Sequence, residues 1–342
     1  MSLPSTIKAV VAPKYGDIDV MELTTLPFPQ PAPNEVLIKV LYAGVNFIDT
    51  YQRAGIYPAK AFPVRLGMEG AGVLVKAPTD AAVRGDAEYK KRGFTDGAHV
   101  VFRQPGAFSE YVTAPWDKVH VLPPSISPLT GAASFLQGLT AVTFLTESYA
   151  VQRGDTILIH TIAGGLGLLL LQIAKARGVT VIGTTSTKEK AELAKGHGAD
   201  YVILYKVENT AERVLEITNG EGVHAVFDGV GKDTFDDNFK LVRRKGTIVS
   251  FGNASGVVPP FPLLKLTEKN VKILRPTVIN YVATPAESER YANELFQLIE
   301  KGTTKINVHK AYPFSGEGVQ QAQRDLTGGH TTGKLVVHVA DE

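Results

Sequence analysis

The sequence of 342 residues contains no cysteine and only eight histidines. The absence of cysteine excludes disulfides, thiol nucleophiles, iron–sulfur clusters and thiolate zinc sites. The histidines are scattered, with no pair at i, i+4 spacing and no HExxH motif, so the sequence predicts no metal site. Each histidine is interpreted as a surface or strand residue.

An excess of one charge is also missing, since 36 basic and 34 acidic residues leave a net charge of +2. That balance argues against a nucleic-acid groove, which would be more basic. No apolar run is long enough to predict a transmembrane helix, and the first residues lack the apolar core of a signal peptide. We therefore expect a cytoplasmic protein without a membrane partner.

A central segment from Thr156 to Lys190 organises the rest of the chain. It begins with a β-branched apolar run, passes through a glycine turn into a helical pattern, and ends in a second apolar run starting at Val179. This order predicts one βαβ unit with a crossover helix. A glycine turn before a helix lets backbone N–H groups approach a pyrophosphate at the positive end of the helix dipole.

The strict G-x-G-x-x-G fingerprint is absent, because Ile162 stands where its first glycine would lie. Only the pair Gly164 and Gly167 remains, and two such glycines alone are also compatible with a purely structural turn. The order strand, turn, helix and second strand makes dinucleotide binding the favoured interpretation.

The end of the second strand also lacks the Asp or Glu with which NAD-binding folds accept hydrogen bonds from ribose hydroxyls. The sequence there is TTSTKEK, which includes Ser186 and Lys190. Hydroxyls and cations suit a 2′-phosphate, so we infer NADPH as the cofactor. Ser186 or Thr187 could instead only cap the following helix, and both interpretations can hold together, since a capped helix N-terminus is itself a phosphate site.

The remaining pattern predicts an α/β fold with six parallel strands, the count of a full doubly wound sheet. The N-terminal region is rich in short β runs and proline, and the last strand, which includes Lys334, is assigned back to it. The fold class is thus a Rossmann doubly wound parallel sheet inserted in a β-rich catalytic domain. We expect residues 128–275 to form the nucleotide domain, residues 1–127 plus 276–342 to form the catalytic domain, and the catalytic cleft to lie between them.

A polar and aromatic loop, GVNFIDTYQRAGIYP, occupies residues 44–58 and includes Asn46, Tyr51 and Tyr57. In isolation, the two tyrosines would be interpreted as amphipathic surface or core residues. Beside a nucleotide fold, the loop becomes a candidate wall of the substrate site.

The chain resembles the zinc-free quinone oxidoreductases related to zeta-crystallin, within the medium-chain dehydrogenase/reductase superfamily. The resemblance covers nearly the whole length and rests on seven segments in order: GVNFIDTYQRAGIYP, LGMEGAGVL, SFLQGLTA, AGGLGLLLLQIAKARG, FDGVGKDTF, VSFGNASG and TTGKLVV. Zinc-dependent relatives carry a histidine at the position of Met68, and the absence of cysteine agrees with a metal-free reductase. Family members usually begin the glycine turn with alanine or glycine, whereas this chain has Thr161.

The resemblance implies a GroES-like catalytic domain, a homodimer and a set of site residues. The pyrophosphate contacts would be Gly164, Gly165, Leu166 and Gly167, and the adenosine phosphate contacts Ser186, Lys190 and Tyr205. Phe251, Gly252 and Asn253 would lie near the nicotinamide, Arg275 close to the cofactor and Lys334 near the cleft. Asn46, Tyr51 and Tyr57 would line the substrate side. As alternatives, Tyr205 is a strand-end aromatic, Arg275 a surface cation and Lys334 a charge on an edge strand.

The implied activity is NADPH-dependent reduction of a small quinone, with Tyr51 and nearby Asn46 as candidate donors to a quinone oxygen. Reduction of an activated C=C bond in an enal or enone is the alternative, because the same hydride geometry serves both. A cofactor-binding structural or RNA-associated role is a third hypothesis. The edge strand near Val271–Leu274 is predicted to pair across the two-fold axis of the dimer.

Overall fold

The computed structural model describes residues 3–342, which divide into two compact units. Unit 1 contains the residues up to Leu136 together with Ala283–Glu300 and Ile306–Glu342, and unit 2 contains Gln137–Val282 and Lys301–Lys305. The sequence predicts domain boundaries after residues 127 and 275, and these boundaries stay a prediction.

Unit 2 is built on a six-stranded parallel sheet. In chain order its strands are β9 (Thr156–Ile159), β10 (Thr180–Thr185), β11 (Tyr201–Leu204), β12 (Val223–Asp228), β13 (Val242–Ser250) and β14 (Lys272–Leu274). The strand order across the sheet is β11-β10-β9-β12-β13-β14, and every neighbouring pair is parallel. This is the doubly wound order that reverses between β9 and β12, where ligands bind in such sheets. The predicted Rossmann sheet is therefore confirmed.

Helices connect these strands, as the apolar runs separated by helical patterns predict. They are α5 (Gly165–Ala176), α6 (Lys188–Gly196), α7 (Thr210–Ile217) and α8 (Phe235–Leu241), while the short α9 (Val278–Tyr281) follows the last strand. Leu158, Ile182 and Val226 from the central strands form one buried cluster with Phe235 and Leu241 of α8. Because strands covered on both faces are apolar throughout, their sequences read as continuous β-branched runs.

Unit 1 is the β-rich part of the chain. Its strands are β1 (Thr6–Ala12), β2 (Glu22–Pro27), β3 (Glu35–Gly44), β4 (Val64–Arg65), β5 (Glu69–Lys76), β6 (His99–Phe102), β7 (Tyr111–Pro115), β8 (Val119–Val121), β15 (Val308–Pro313) and β16 (Lys334–His338). A seven-stranded sheet has the order β15-β16-β3-β5-β6-β8, with β7 paired to β3. Strand β16 runs antiparallel to β3 with Val336 opposite Gly44, so the last strand returns to the N-terminal sheet, as expected.

The helices of unit 1 are short before the inserted segment and longer after it. They are α1 (Phe47–Arg53), α2 (Ala81–Gly85), α3 (Ala87–Lys91), α10 (Pro285–Glu300) and α11 (Gly316–Thr327), and the division between the units falls within α4 (Pro128–Thr143). The core beneath the large sheet joins Ile38, Val40 and Phe102 to Leu335 and Val337 of β16.

Two expectations are corrected by the structure. The stretch Pro128–Ser148 has the length and hydropathy to cross a membrane, although 67% of its apolar window is buried within the protein, as in a core helix. The sequence interpretation had found no such run, because threonine, serine and glycine interrupt the apolar residues. His160 is neither a surface nor a strand residue, since it follows β9 directly and is 4% exposed.

Candidate functional site

The glycine turn between β9 and α5 has little room for side chains. Gly164 is the N-cap of α5 in an extended conformation. A Cβ on Gly167 would lie 2.5 Å from the Thr161 carbonyl oxygen and 2.6 Å from that of Ile162, so only glycine fits there. The free N–H groups at the start of α5 and the positive end of its dipole form an anion site of the kind that binds a pyrophosphate.

Thr161 itself has a positive φ of 54°. A β-branched residue rarely adopts this left-handed conformation, and the alanine or glycine typical of relatives would be strained less or not at all. The Thr161 carbonyl accepts from Gly164 N at 2.9 Å, and Ile162 N donates to the Thr184 carbonyl at 3.0 Å. These bonds connect the turn to the end of β10.

The end of β10 carries the predicted adenosine-phosphate residues. Thr187 is the N-cap of α6 and accepts from Lys190 N at 3.3 Å, so the capping interpretation holds for Thr187. Tyr205 N donates to the Thr185 carbonyl at 3.2 Å, which fixes the backbone of this exposed tyrosine beside the same strand end. Lys190, in the first turn of α6, and Tyr205 thus follow the carboxyl ends of the neighbouring strands β10 and β11.

Lys206 joins this group, and the sequence interpretation missed it. Partial burial and the nearby charge of Lys206 lower the pKa of the Lys190 ammonium. Two ammonium groups held this close repel each other, and a bound dianion would relieve that repulsion. The signal available in the sequence was the second cation directly after Tyr205, at the end of the next strand.

The predicted nicotinamide residues lie together at the ends of β12 and β13. Phe251 N donates to the Asp228 carbonyl at 2.8 Å. The Arg275 guanidinium donates to the Gly252 carbonyl and to Asn253 Oδ1, each at 3.0 Å. Arg275 is therefore more than a solvated surface cation, because it braces the backbone of this loop. A Cβ on Gly252 would lie 2.1 Å from the Gly229 carbonyl oxygen, so the two loops approach too closely for any side chain at that position.

In unit 1, a buried ion pair lies where β5, β16 and the start of α1 meet. The Lys334 ammonium donates to Glu69 Oε1 at 2.6 Å and to Asn46 Oδ1 at 2.7 Å, while Asn46 Nδ2 donates to the same Glu69 oxygen at 2.8 Å. The other Glu69 oxygen accepts from Leu136 N at 2.6 Å. Lys334 is 2% exposed and β16 lies between β15 and β3, so the edge-strand interpretation of Lys334 is wrong.

Asp49 is the second buried carboxyl of this cluster. Its Oδ2 accepts from Asn46 N at 2.8 Å, whereas its buried Oδ1 has no hydrogen-bond partner. Burial raises the pKa of Asp49 to about 7, and the nearby Glu69 carboxylate adds to the rise, while the Lys334 ammonium opposes it. Asp49 and Glu69 were not among the predicted site residues. The signal available in the sequence for Glu69 was an acidic residue within the otherwise uncharged stretch LGMEGAGVL.

The predicted substrate-side tyrosines form an aromatic pair. The Tyr51 and Tyr57 rings meet edge to face with centroids 5.6 Å apart, and Phe47 lies 6.3 Å from Tyr51. Tyr51 is 9% exposed and Tyr57 is 39% exposed. This arrangement offers the more exposed Tyr57 ring and the phenol groups for contact with an aromatic ring.

The residues at this place do not fit a zinc ion. Met68 occupies the position of the histidine ligand, and the adjacent Glu69 is ion-paired with Lys334. Among residues 3–342, no group of three or more histidine, cysteine, aspartate or glutamate side chains could hold a metal ion. A buried ammonium thus provides the positive charge beside Glu69.

Comparisons with known proteins agree with this architecture. Residues 32–124 match the alcohol dehydrogenase GroES-like domain, and residues 165–301 match the zinc-binding dehydrogenase family. The quinone oxidoreductase of Pseudomonas aeruginosa is 40% identical over 94% of this chain and 97% of its own length. The crystal structure of Escherichia coli quinone oxidoreductase complexed with NADPH has a TM-score of 0.91 and 36% identity, covering 97% of this chain and 100% of that one. The 2-haloacrylate reductase of a Burkholderia species is 32% identical over 97% of this chain and 98% of its own length.

The fold and the two matched families define a dehydrogenase with a GroES-like domain and a nucleotide-binding domain of the medium-chain type. Within that class, identity of this extent over nearly the full length is decisive. The chain belongs to the quinone oxidoreductase family of the medium-chain dehydrogenase/reductase superfamily.

Proposed function

We propose that this protein is an NADPH-dependent quinone oxidoreductase. The observation that carries the proposal is the pairing of an open helix N-terminus at Gly164 with a cation cluster at the next strand end. Lys190 and Lys206 lie where NAD-binding folds place a carboxylate, so the site complements a phosphate on the adenosine ribose. Relatives that are named quinone oxidoreductases support the substrate class.

The residues of unit 2 divide into three groups around the proposed cofactor. Gly164, Gly165, Leu166 and Gly167 would hold the pyrophosphate; Ser186, Lys190 and Tyr205 would hold the adenosine phosphate; Phe251, Gly252, Asn253 and Arg275 would lie near the nicotinamide. Bound NADPH supplies a hydride, which is the chemistry that the protein side chains lack. The glycine turn and the loop braced by Arg275 would orient the cofactor.

On the substrate side, Tyr51 is the proposed donor to the quinone oxygen. The amide of Asn46 already donates to Glu69 and accepts from Lys334, so we assign Asn46 to positioning instead of proton donation. Tyr57 would stack on or beside the acceptor ring. Because a quinone is an activated acceptor, Tyr51→Phe should weaken turnover without abolishing it. A complete loss of turnover with intact NADPH binding would instead make Tyr51 an essential acid.

The test is NADPH oxidation by the purified protein with a panel of quinones and a panel of enals and enones. We expect the quinones to give the higher kcat/KM, and NADPH to be preferred over NADH. Higher kcat/KM for activated C=C bonds would favour the alternative suggested by the 2-haloacrylate reductase. Tight NADPH binding without oxidation by any acceptor would point to a structural or RNA-associated role.

We also propose a homodimer that forms at the β14 edge of unit 2. Strand β14 is the last strand of its sheet, and an exposed edge readily pairs with a second copy. The adjacent segment exposes Val257, Leu263 and Leu264 at 60%, 73% and 78%. Sedimentation should give a dimer, and Leu264→Asp should shift it towards monomer. A monomeric parent protein would refute the assignment.

A cytoplasmic location is part of the same proposal, because a soluble NADPH-dependent reductase needs access to the cytoplasmic cofactor pool. Fractionation of cells that express the full chain should place it in the soluble cytoplasmic fraction. Recovery of the protein with membranes would contradict this.

A further inference from the structure

The backbone of Thr161 adopts a left-handed conformation. Its φ is 54°, and its exposed side chain makes one local hydrogen bond, from the hydroxyl to the His160 carbonyl at 2.7 Å, so packing against a core does not hold this conformation. A β-branched residue in this region persists only where its surroundings force it to stay. Backbone bonds from Gly164 N and Ile162 N hold the chain on the C-terminal side of Thr161, and the bond from Thr161 N to the buried Thr184 hydroxyl holds it on the N-terminal side.

Three buried side chains connect Thr161 to the buried carboxylate of Asp228. Thr161 N donates to Thr184 Oγ1 at 3.3 Å, and Thr184 Oγ1 lies 3.1 Å from His160 Nδ1. His160 Nε2 lies 2.9 Å from Asn238 Oδ1, and Asn238 Nδ2 donates to Asp228 Oδ2 at 2.6 Å. All four side chains belong to residues that are at most 4% exposed. We call Thr184, His160, Asn238 and Asp228 the Asp228 relay.

The relay has a direction that the carboxylate imposes. An ionised Asp228 only accepts, so Asn238 must turn its amide nitrogen to Asp228 and its oxygen to His160. A neutral His160 then donates from Nε2 and accepts at Nδ1 from the Thr184 hydroxyl. Each group in the series, beginning with the Thr161 N–H, therefore donates its hydrogen to the next group in the direction of Asp228. Bonds aligned in this way polarise and strengthen one another inside a protein.

Asp228 also fixes the opposite side of the proposed cofactor site. Its Oδ1 accepts from Val230 N at 2.8 Å, and its backbone carbonyl accepts from Phe251 N at 2.8 Å. The Thr234 hydroxyl donates to Oδ2 at 2.8 Å. Asp228 thus contacts the nicotinamide loop through its backbone carbonyl, whereas its carboxylate is connected to the glycine turn through Asn238.

We propose that Asn238 is a positioning residue for NADPH, because it carries the link that holds Thr161 in its left-handed conformation and keeps the glycine turn ready for the pyrophosphate. The inference rests on the proposed function in taking NADPH as the ligand. The proposal gives α8 a role in cofactor affinity, although α8 contributes none of the predicted cofactor contacts.

The test uses Asn238→Leu, which keeps the side-chain size and removes both hydrogen bonds. We expect NADPH to bind about tenfold more weakly, because binding would then have to force one strained residue back into place. Adenosine 2′-monophosphate lacks the pyrophosphate and should bind as before. Asp237→Asn, an exposed neighbour on α8, is the matched control and should leave both affinities unchanged. Thr184→Val breaks the relay at its other end and should reproduce the loss.

The decisive comparison repeats Asn238→Leu in a Thr161→Gly background. Glycine adopts a positive φ without strain, so the relay has nothing left to hold and the effect of Asn238→Leu should fall to about threefold or less. An undiminished effect in that background would overturn the proposal. So would equal weakening of adenosine 2′-monophosphate, which would reveal a general folding defect, or unchanged NADPH affinity in both Asn238→Leu and Thr184→Val. Failure of the unaltered protein to bind NADPH would refute the proposed function itself and is measured separately.

Discussion

Asp49→Asn should stabilise the protein at alkaline pH and not at acidic pH. Burial raises the pKa of Asp49 from its usual 3.8 to about 7 in the folded state. Between these values the folded protein keeps a proton that the unfolded chain has lost, so the stability declines as the pH rises through this window. This is opposite to the usual behaviour of a carboxylate with a depressed pKa. Asparagine carries no charge and does not titrate, so it removes the decline.

The size of the effect follows from the same shift. One pKa unit corresponds to about 1.4 kcal/mol, so the interval from 3.8 to about 7 sets a ceiling of about 4 kcal/mol at pH 8. The introduced amide has a desolvation cost of its own, since the buried Oδ1 position has no partner. We therefore expect a gain of about 2 kcal/mol at pH 8, or about 3 °C in Tm for a chain of 342 residues.

The assay is thermal unfolding of the parent protein and Asp49→Asn at a series of pH values from 4 to 8. The two curves should nearly coincide at pH 4 and separate progressively above it. Asp96→Asn, at an exposed carboxylate of the same unit, is the control and should change Tm equally little at every pH. The reasoning is refuted if Asp49→Asn gains nothing at pH 8, or if its gain is the same at both ends of the series.

Four further single substitutions probe the other features of the two units. Lys190→Ala and Lys206→Ala should each lower the NADPH preference, measured as the ratio of kcat/KM for NADPH and NADH, by about tenfold, because each removes one cation from the proposed phosphate site. An unchanged ratio in both would contradict the assignment. Gly167→Ala should abolish detectable NADPH binding by fluorescence titration, since its Cβ would lie 2.5 Å from a carbonyl oxygen. Lys334→Met should lower the unfolding free energy by about 3–5 kcal/mol, because it leaves the Glu69 carboxylate buried without its ammonium; adding Glu69→Gln should recover much of that loss in urea titrations.

Much of the fold could be predicted because its signals are local. The six apolar runs of unit 2 alternate with helical patterns, and the parallel crossover rule leaves few ways to order them. The glycine turn and the missing acidic residue after β10 likewise lie within one continuous segment. These features identify the nucleotide fold and its cofactor without any knowledge of distant contacts.

The buried clusters could not be predicted, because their partners lie far apart in the chain. Lys334 pairs with Glu69 across 265 positions, and no local period connects β16 to β5. Asn238 belongs to no recognisable sequence motif. Its place in the Asp228 relay is seen only from its contacts with His160 and Asp228. The proton on Asp49 depends on complete burial beside another carboxyl, which is a property of the packed structure.

The two residues that break local rules, Thr161 and Lys334, point to the same conclusion about function. A left-handed threonine and an ammonium buried in a strand are each unfavourable in isolation, and each persists through partners supplied by distant parts of the chain. Glycine in place of Thr161 would relieve the backbone strain. A matched neutral or apolar pair often replaces a buried ion pair such as Lys334 and Glu69 without loss of stability. Stability alone therefore does not require either residue. Local rules are broken in this way chiefly at functional sites, and both residues lie within or beside the groups proposed to hold the cofactor and the acceptor.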